Sequence, residues 1–220
     1  MKPAGIVTGM LSEAECISVA ETPHTIFCAA GNPGRAQFGA LKLLEEGAPK
    51  LISFGIAGAL DPALSPGDIV LASHVEDHTG HRFPTDTAWR QKLASSYRNI
   101  GAVTEGAIVT TDNAVATMRD KTTLFHRTKA VAVDMESAGV AEAALENGIP
   151  FLAIRVIADT STFTLPHCAL VGLDEDGSTR PLTVLAHLAA RPWEFVALLK
   201  LAGASKIAMS CLSRIASVGF

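Results

Sequence analysis

The stretch that most constrains this chain is residues 130–160, AVAVDMESAGVAEAALENGIPFLAIRVIADT. Its pattern predicts strand, helix, turn, strand. Residues 130–133 are a short apolar run suited to a buried strand end. Residues 137–147 are Ala-rich and helix-prone, Asn147-Gly148 supplies a C-terminal cap signal, and Pro150 forbids continuation. Residues 151–158, FLAIRVIA, are a β-branched apolar run broken by one charge, Arg155, with Asp159 at its end. Two carboxylates, Glu136 and Asp159, thus fall at the carboxyl ends of two strands joined by a helix, the edge where α/β sheets bind ligands. An arginine inside an apolar strand is costly when unpaired, so Arg155 requires a fixed anionic partner in the protein or in a ligand. Spacing alone leaves two readings open: a structural ion pair with Glu136 or another acid, and a functional site.

Bulk properties narrow the class. The 220 residues are 48% hydrophobic, enough for one large core, and one domain spanning 1–220 is expected, with 180–220 as its helical C-terminal extension. The net charge of -4 offers no basic footprint for nucleic acid. The start, MKPAGIVTGM, does not read as a signal peptide, and no run of 18 apolar residues implies a spanning helix. Cys16, Cys28, Cys168 and Cys211 are widely spaced and suit reduced thiols in a cytoplasmic protein.

DMES-A-GVA followed by IPFLAIRVIAD resembles the purine and uridine phosphorylase superfamily, which includes the methylthioadenosine/S-adenosylhomocysteine nucleosidases. That family carries Met-Glu at a helix start and a strand ending in Arg-x-x-Ser-Asp. Met135-Glu136 and Arg155-Val-Ile-Ala-Asp159 stand at those places, with Ala158 where the Ser is usual. The resemblance implies a three-layer α/β/α sandwich around a mixed central sheet, a homo-oligomer, a small-molecule nucleoside substrate and no cofactor beyond phosphate as co-substrate.

Taken in order, residues 5–10 read as a first strand and 11–20 as a helix, with Ser12 as N-cap and Glu15 three residues on. In the nucleosidase branch a Met in this turn precedes by three residues a Glu that activates water, and Met10-Leu-Ser-Glu13 has that spacing. Residues 25–30 are a second strand, and Gly31-Asn-Pro-Gly34 turns into a helix opened by Arg35, a ready anion site. The pattern is not a dinucleotide fingerprint. A tight βα turn is the plain reading; the resemblance makes Gly31, Gly34 and Arg35 phosphate ligands. Residues 51–54 are a buried strand, and Gly55-Ile-Ala-Gly58 resembles the family's loop beside the ribose and nucleophile. Two departures stand here, Ile56 for the loop Ser and Ser53 for an Arg that some phosphorylases carry. Pro66-Gly67-Asp68 matches the family's turn into the next strand. His74, Glu76 and His78 alternate and would share a strand face, but no second ligand cluster accompanies them, so they read as a polar rim and no metal is expected.

Residues 88–96 and 119–129 read as helices, and 103–112 as a strand. In the family such a strand precedes an aromatic that packs on the base. Ala114 takes that place here, so the resemblance leaves the base to Phe163 and to backbone from Asn113 to Val115. The C-terminal part has an acidic turn at Asp174–Gly177, Arg180-Pro181 before a helix, then helices at 193–202 and 206–218. LDEDGSTRP…ARPWEFVALLKLA resembles the hopanoid-associated phosphorylase subgroup, which releases adenine from adenosylhopane. These helices read either as core helices or as a greasy tail that admits a lipid-linked substrate and touches a membrane only peripherally.

For N-glycosidic cleavage, the resemblance makes Asp159 the acid at the leaving base, with a pKa raised by burial. Glu136, next to Met135, would accept the ribose hydroxyls as an anion. Arg155 would orient the nucleophile or steady Glu136. The nucleophile is phosphate, held by Arg35 and the glycines including Gly55, or water, activated by Glu13. Phosphorolysis is favoured narrowly; a hydrolytic nucleosidase and a non-catalytic nucleoside-binding module are the alternatives.

Overall fold

The computed structural model describes residues 3–17, 24–170 and 181–220. The acidic turn at 174–177, Arg180 and the end of the first helix at 18–20 lie outside the described residues. Eight strands form one mixed sheet: β1 (Gly5–Thr8), β2 (Thr25–Cys28), β3 (Leu51–Ala59), β4 (Ile69–Glu76), β5 (Arg82–Pro84), β6 (Val103–Thr110), β7 (Ala132–Asp134) and β8 (Phe151–Asp159). The helices are α1 (Leu11–Ile17), α2 (Pro33–Glu45), α3 (Thr87–Tyr97), α4 (Met118–Thr128), α5 (Ser137–Glu146), α6 (His167–Leu170), α7 (Pro181–Ala190) and α8 (Phe195–Val218).

The sheet is mixed because β8 is shared by two strands of opposite sense. It pairs with β3 in parallel, from Leu51↔Phe151 to Gly58↔Asp159, and with β4 antiparallel. β4 continues through β6 and β7 back to the end of β3, where Gly58 and Ala59 meet Val133 and Ala132. The pairings β3–β8–β4–β6–β7–β3 therefore close on themselves, so β8 has no free edge and is buried at all nine positions. Full burial explains its unbroken apolar run. β1 and β2 extend the sheet beyond β3.

Apolar layers fill both faces. Val7, Ala36, Ala40, Leu43, Val140 and Ala144 form one, under α2 and α5; Ile6, Ile52, Phe54, Tyr97, Leu212 and Ile215 form the other, under α1, α3 and α8. α2 and α5 approach so closely at Gly139 that a side chain there would run into the Pro33 carbonyl oxygen.

Three local expectations change. Ser12 is not the N-cap: α1 begins at Leu11, and the carboxylate of Glu13 accepts from Gly9 N and Met10 N, both at 2.8 Å. Residues 55–58 are not a loop but the second half of β3, since continuous pairing to β8 satisfies their backbone. The two C-terminal helices are one, α8, which runs through exposed Gly203 without a break. By length and composition, Pro192–Val218 is one helix long and apolar enough to cross a membrane, which counting unbroken apolar residues does not reveal. One side of it, Ala208, Cys211, Leu212, Ile215 and Ala216, is buried against the protein.

Candidate active site

β7 and β8 place the acids and the arginine of the 130–160 stretch around one point. The Arg155 guanidinium is wholly buried. Its Nε donates to Asp134 Oδ2 at 2.8 Å, and its Nη2 donates to Ser53 Oγ at 2.7 Å, to Ser137 Oγ at 3.2 Å and to Glu136 Oε2 at 3.3 Å. Ser137 Oγ and Ser53 Oγ are also 3.1 Å apart. Asp134 Oδ1 accepts from Thr110 Oγ1 at 2.7 Å and Ser137 N at 3.3 Å, which ties the start of α5 to β6. The partner demanded by Arg155 is thus chiefly Asp134, with Glu136 second. Sequence reading missed Asp134, although an acid closing a buried three-residue strand was its signal.

Glu13 is anchored at the other wall. Besides the two N–H groups at its own helix start, it accepts from Ile56 N at 2.8 Å. Two glycines make room for these acids. A Cβ on Gly55 would lie 2.5 Å from Glu13 Oε1, and one on Gly9 would lie 2.5 Å from Glu136 Oε1. Close approach of backbone to carboxyl is what glycine supplies at both places. Burial pushes the Glu13 carboxyl up, against the pull of Arg155 and its three backbone donors. Burial, Asp134 and Glu13 push Glu136 up to about 8, against the pull of Arg155. The Arg155 guanidinium is shared between Glu136 and Asp134.

Asp159 ends β8 and is buried. Its Oδ2 accepts from the ammonium of Lys121, which is wholly buried on the inner face of α4. Lys121 Nζ also donates to Thr160 O and Phe163 O, both at 2.9 Å. Burial pushes the Asp159 carboxyl up and Lys121 opposes it. Lys121 too is absent from the sequence reading, in which 119–129 is simply a helix.

A cavity of about 200 Å³ joins these groups. Glu13, Glu136 and Asp159 line it, with Met10, Ile56, Ala114, Met135 and Leu165 as its apolar walls and Gly31 at its edge. Of the residues expected at the phosphate, Gly31 reaches the cavity and Gly55 lies beneath Glu13. Gly34 and Arg35 are exposed in the first turn of α2 and do not line it. Asn113 is exposed, its carbonyl accepting from Thr111 Oγ1 at 2.9 Å. Phe163 lines a second cavity of about 200 Å³ on the far side of Asp159, shared with Pro66, Leu201 and Ala204. Of the suspected polar rim, Glu76 receives Arg82 Nε at 3.0 Å and His74 Nδ1 contacts Ser73 Oγ at 3.2 Å. Among the described residues no three His, Cys, Asp or Glu side chains stand where they could hold a metal ion.

Such an arrangement suits a reaction in which a cationic centre forms between carboxyl groups while a leaving group takes up a proton. A family profile described as the phosphorylase superfamily matches residues 5–167. A 5′-methylthioadenosine/S-adenosylhomocysteine nucleosidase of Shewanella sediminis is 32% identical over 145 residues, covering 56% of this chain and 63% of that protein. The chain thus spans less than two thirds of the length of that curated relative. A nucleosidase of the same name from Colwellia psychrerythraea, solved in complex with adenine, superposes with a TM-score of 0.68 over 84% of this chain and 95% of its own, at 21% identity. A futalosine hydrolase mutant of Helicobacter pylori superposes with a TM-score of 0.71 over 98% of both chains, at 17% identity. The fold is that of these enzymes.

Proposed function

Because the chain belongs to the phosphorylase superfamily, we propose that it cleaves the N-glycosidic bond of a purine nucleoside, with adenine as the base and water as the nucleophile. The observation that carries the choice of water is the charge of the cavity. Four acidic residues line it, Glu13, Asp134, Glu136 and Asp159, and among the described residues no basic side chain does. Arg155 is wholly buried and engaged by Asp134, Glu136 and two serines, and the three donors of Lys121 are taken by Asp159 and two carbonyls. A phosphate dianion placed there would meet acidic side chains with no cation to hold it. The two departures at Ser53 and Ile56 support the same choice. Ser53 serves Arg155, and Ile56 puts an apolar wall where the family loop has a hydroxyl.

In this reading Glu13 is the general base. Three backbone donors fix its carboxyl at the cavity wall, and burial raises its affinity for a proton, as a general base requires. Glu136 meets the ribose hydroxyls and sets its carboxyl oxygens beside the forming sugar cation, where they favour the developing charge. Asp159 supplies the proton to the base as the C1′–N9 electron pair leaves with it. The products are free base and reducing sugar. Changing Glu13→Gln or Asp159→Asn is expected to lower adenine release from methylthioadenosine, S-adenosylhomocysteine or adenosine by about 10²–10⁴-fold, with a cooperative thermal transition retained. Near-normal turnover in either variant overturns that residue's role.

A second reading concerns the 5′-substituent. The cavity on the far side of Asp159 is walled by Phe163, Leu201 and Ala204, and the adjoining helix exposes Trp193 at 73%, Phe195, Val196 and Leu199. This favours a nucleoside with an apolar, lipid-like substituent, as adenosylhopane would be in hopanoid biosynthesis. Faster turnover of a 5′-alkyl adenosine than of adenosine supports it, and the reverse order refutes it.

A further inference from the structure

The lysine under Asp159 has no part in the reaction as set out above, yet its placement is specific. Lys121 is wholly buried, and three acceptors, Asp159 Oδ2, Thr160 O and Phe163 O, take all three of its N–H donors. No donor is left for a substrate, so whatever Lys121 does, it does through Asp159. A buried lysine with one carboxylate partner is also an expensive way to hold a loop, because an apolar residue would pack as well.

We propose that Lys121 is a positioning residue and the proton store behind Asp159: the hydrogen-bonded pair, rather than the carboxyl alone, holds the proton that goes to the base. This rests on the proposed cleavage of a purine nucleoside. The pair of ammonium and carboxylate is neutral overall and holds one proton that can move between Nζ and Oδ2. As the C1′–N9 bond breaks and its electron pair passes to the base, Asp159 gives a proton to a ring nitrogen of the base while Lys121 passes one to Asp159. A neutral amine and a carboxylate remain, and a proton from water restores the pair. Other ionisable groups near Asp159 do not take this role. Glu13 from α1, and Asp134 and Glu136 from β7 and its exit, are acids; Arg155 on β8 is bound to Asp134 and Glu136; Lys200 on α8 is exposed and lines only the second cavity.

The test is a pair of pH profiles. Lys121→Met leaves Asp159 to hold the proton by itself, so its turnover of methylthioadenosine should fall tenfold per pH unit above the carboxyl's own pKa. The alkaline limb is expected to move at least about one unit below that of the unaltered protein. A 4-nitrophenyl riboside, whose leaving group departs as a stable anion, should show no such displacement. Lys121→Arg keeps the charge but cannot release a proton. It should lose about 10²-fold on methylthioadenosine at every pH and stay within about tenfold on the nitrophenyl riboside. An unshifted limb in the Met variant, or equal losses on both substrates, overturns the proposal, since a merely structural lysine would give those results. The unaltered protein gives a variant-free check: the ratio of the two turnovers should stay flat to about pH 8, and a fall beginning below neutrality contradicts the proposal. If the unaltered protein releases base from no nucleoside, it is the functional reading that fails; release with an unshifted limb refutes the lysine alone.

Discussion

Two buried cations stand within reach of the same cavity, and they are held differently. Arg155 is enclosed by β7, β8 and the start of α5, where two carboxyl groups and two hydroxyls share its guanidinium. Lys121 comes from a helix outside the sheet and has one acid, at the cavity edge, and two loop carbonyls. The first is a planar fork that fixes several groups at once; the second is a point charge aimed at one. Arg155 thus fixes the geometry of the site, and Lys121 adjusts the protonation of a single catalytic carboxyl.

The largest effect should separate them in stability. Arg155→Met strands Asp134 and Glu136 in a dry interior, and a loss of about 3–5 kcal/mol is expected in chemical denaturation. Lys121→Met should lose less, about 1–3 kcal/mol, because Asp159 borders the cavity and can take up a proton once the cation is gone. Equal losses would erase the distinction between a framework cation and a tuning cation. The smallest effect lies in the pH dependence. Glu136 has its pKa raised from an ordinary 4.5 to about 8, so the folded state binds more protons than the unfolded state between those values. Its contribution to stability is complete below about pH 4.5 and is lost as pH rises through 8. Glu136→Gln should flatten the fall of Tm across that window. An unchanged slope would assign the dependence to another group.

The same contrast explains what the sequence revealed. Arg155 interrupts a run of seven apolar residues, and such an interruption announces a buried ion pair. The two-part motif around it carried both the family and the fold class. Its principal partner was less visible, because Asp134 sits beside Glu136 and spacing cannot tell which carboxyl turns inward. Lys121 was hidden for a different reason. Residues 118–128, MRDKTTLFHRT, are mostly polar, and a lysine there looks like one more solvated charge. Yet Lys121, Leu124 and Thr128 recur at helical spacing and form the buried face of α4, so a face-by-face reading had a signal to find. The glycines of β3 misled for a third reason. A Gly-x-x-Gly run suggests a turn, whereas here Gly55 stays in the strand because its missing Cβ admits Glu13. Closure of the sheet through β8 depends on pairings between distant segments that no local pattern encodes.

The central claim is hydrolysis at an acidic cavity, and it is tested most directly by following base release from methylthioadenosine with and without phosphate and identifying the sugar. The account predicts equal rates in both buffers and a free reducing sugar as product. Release that requires phosphate and yields a sugar 1-phosphate would contradict it, and would turn attention from Glu13 to Arg35.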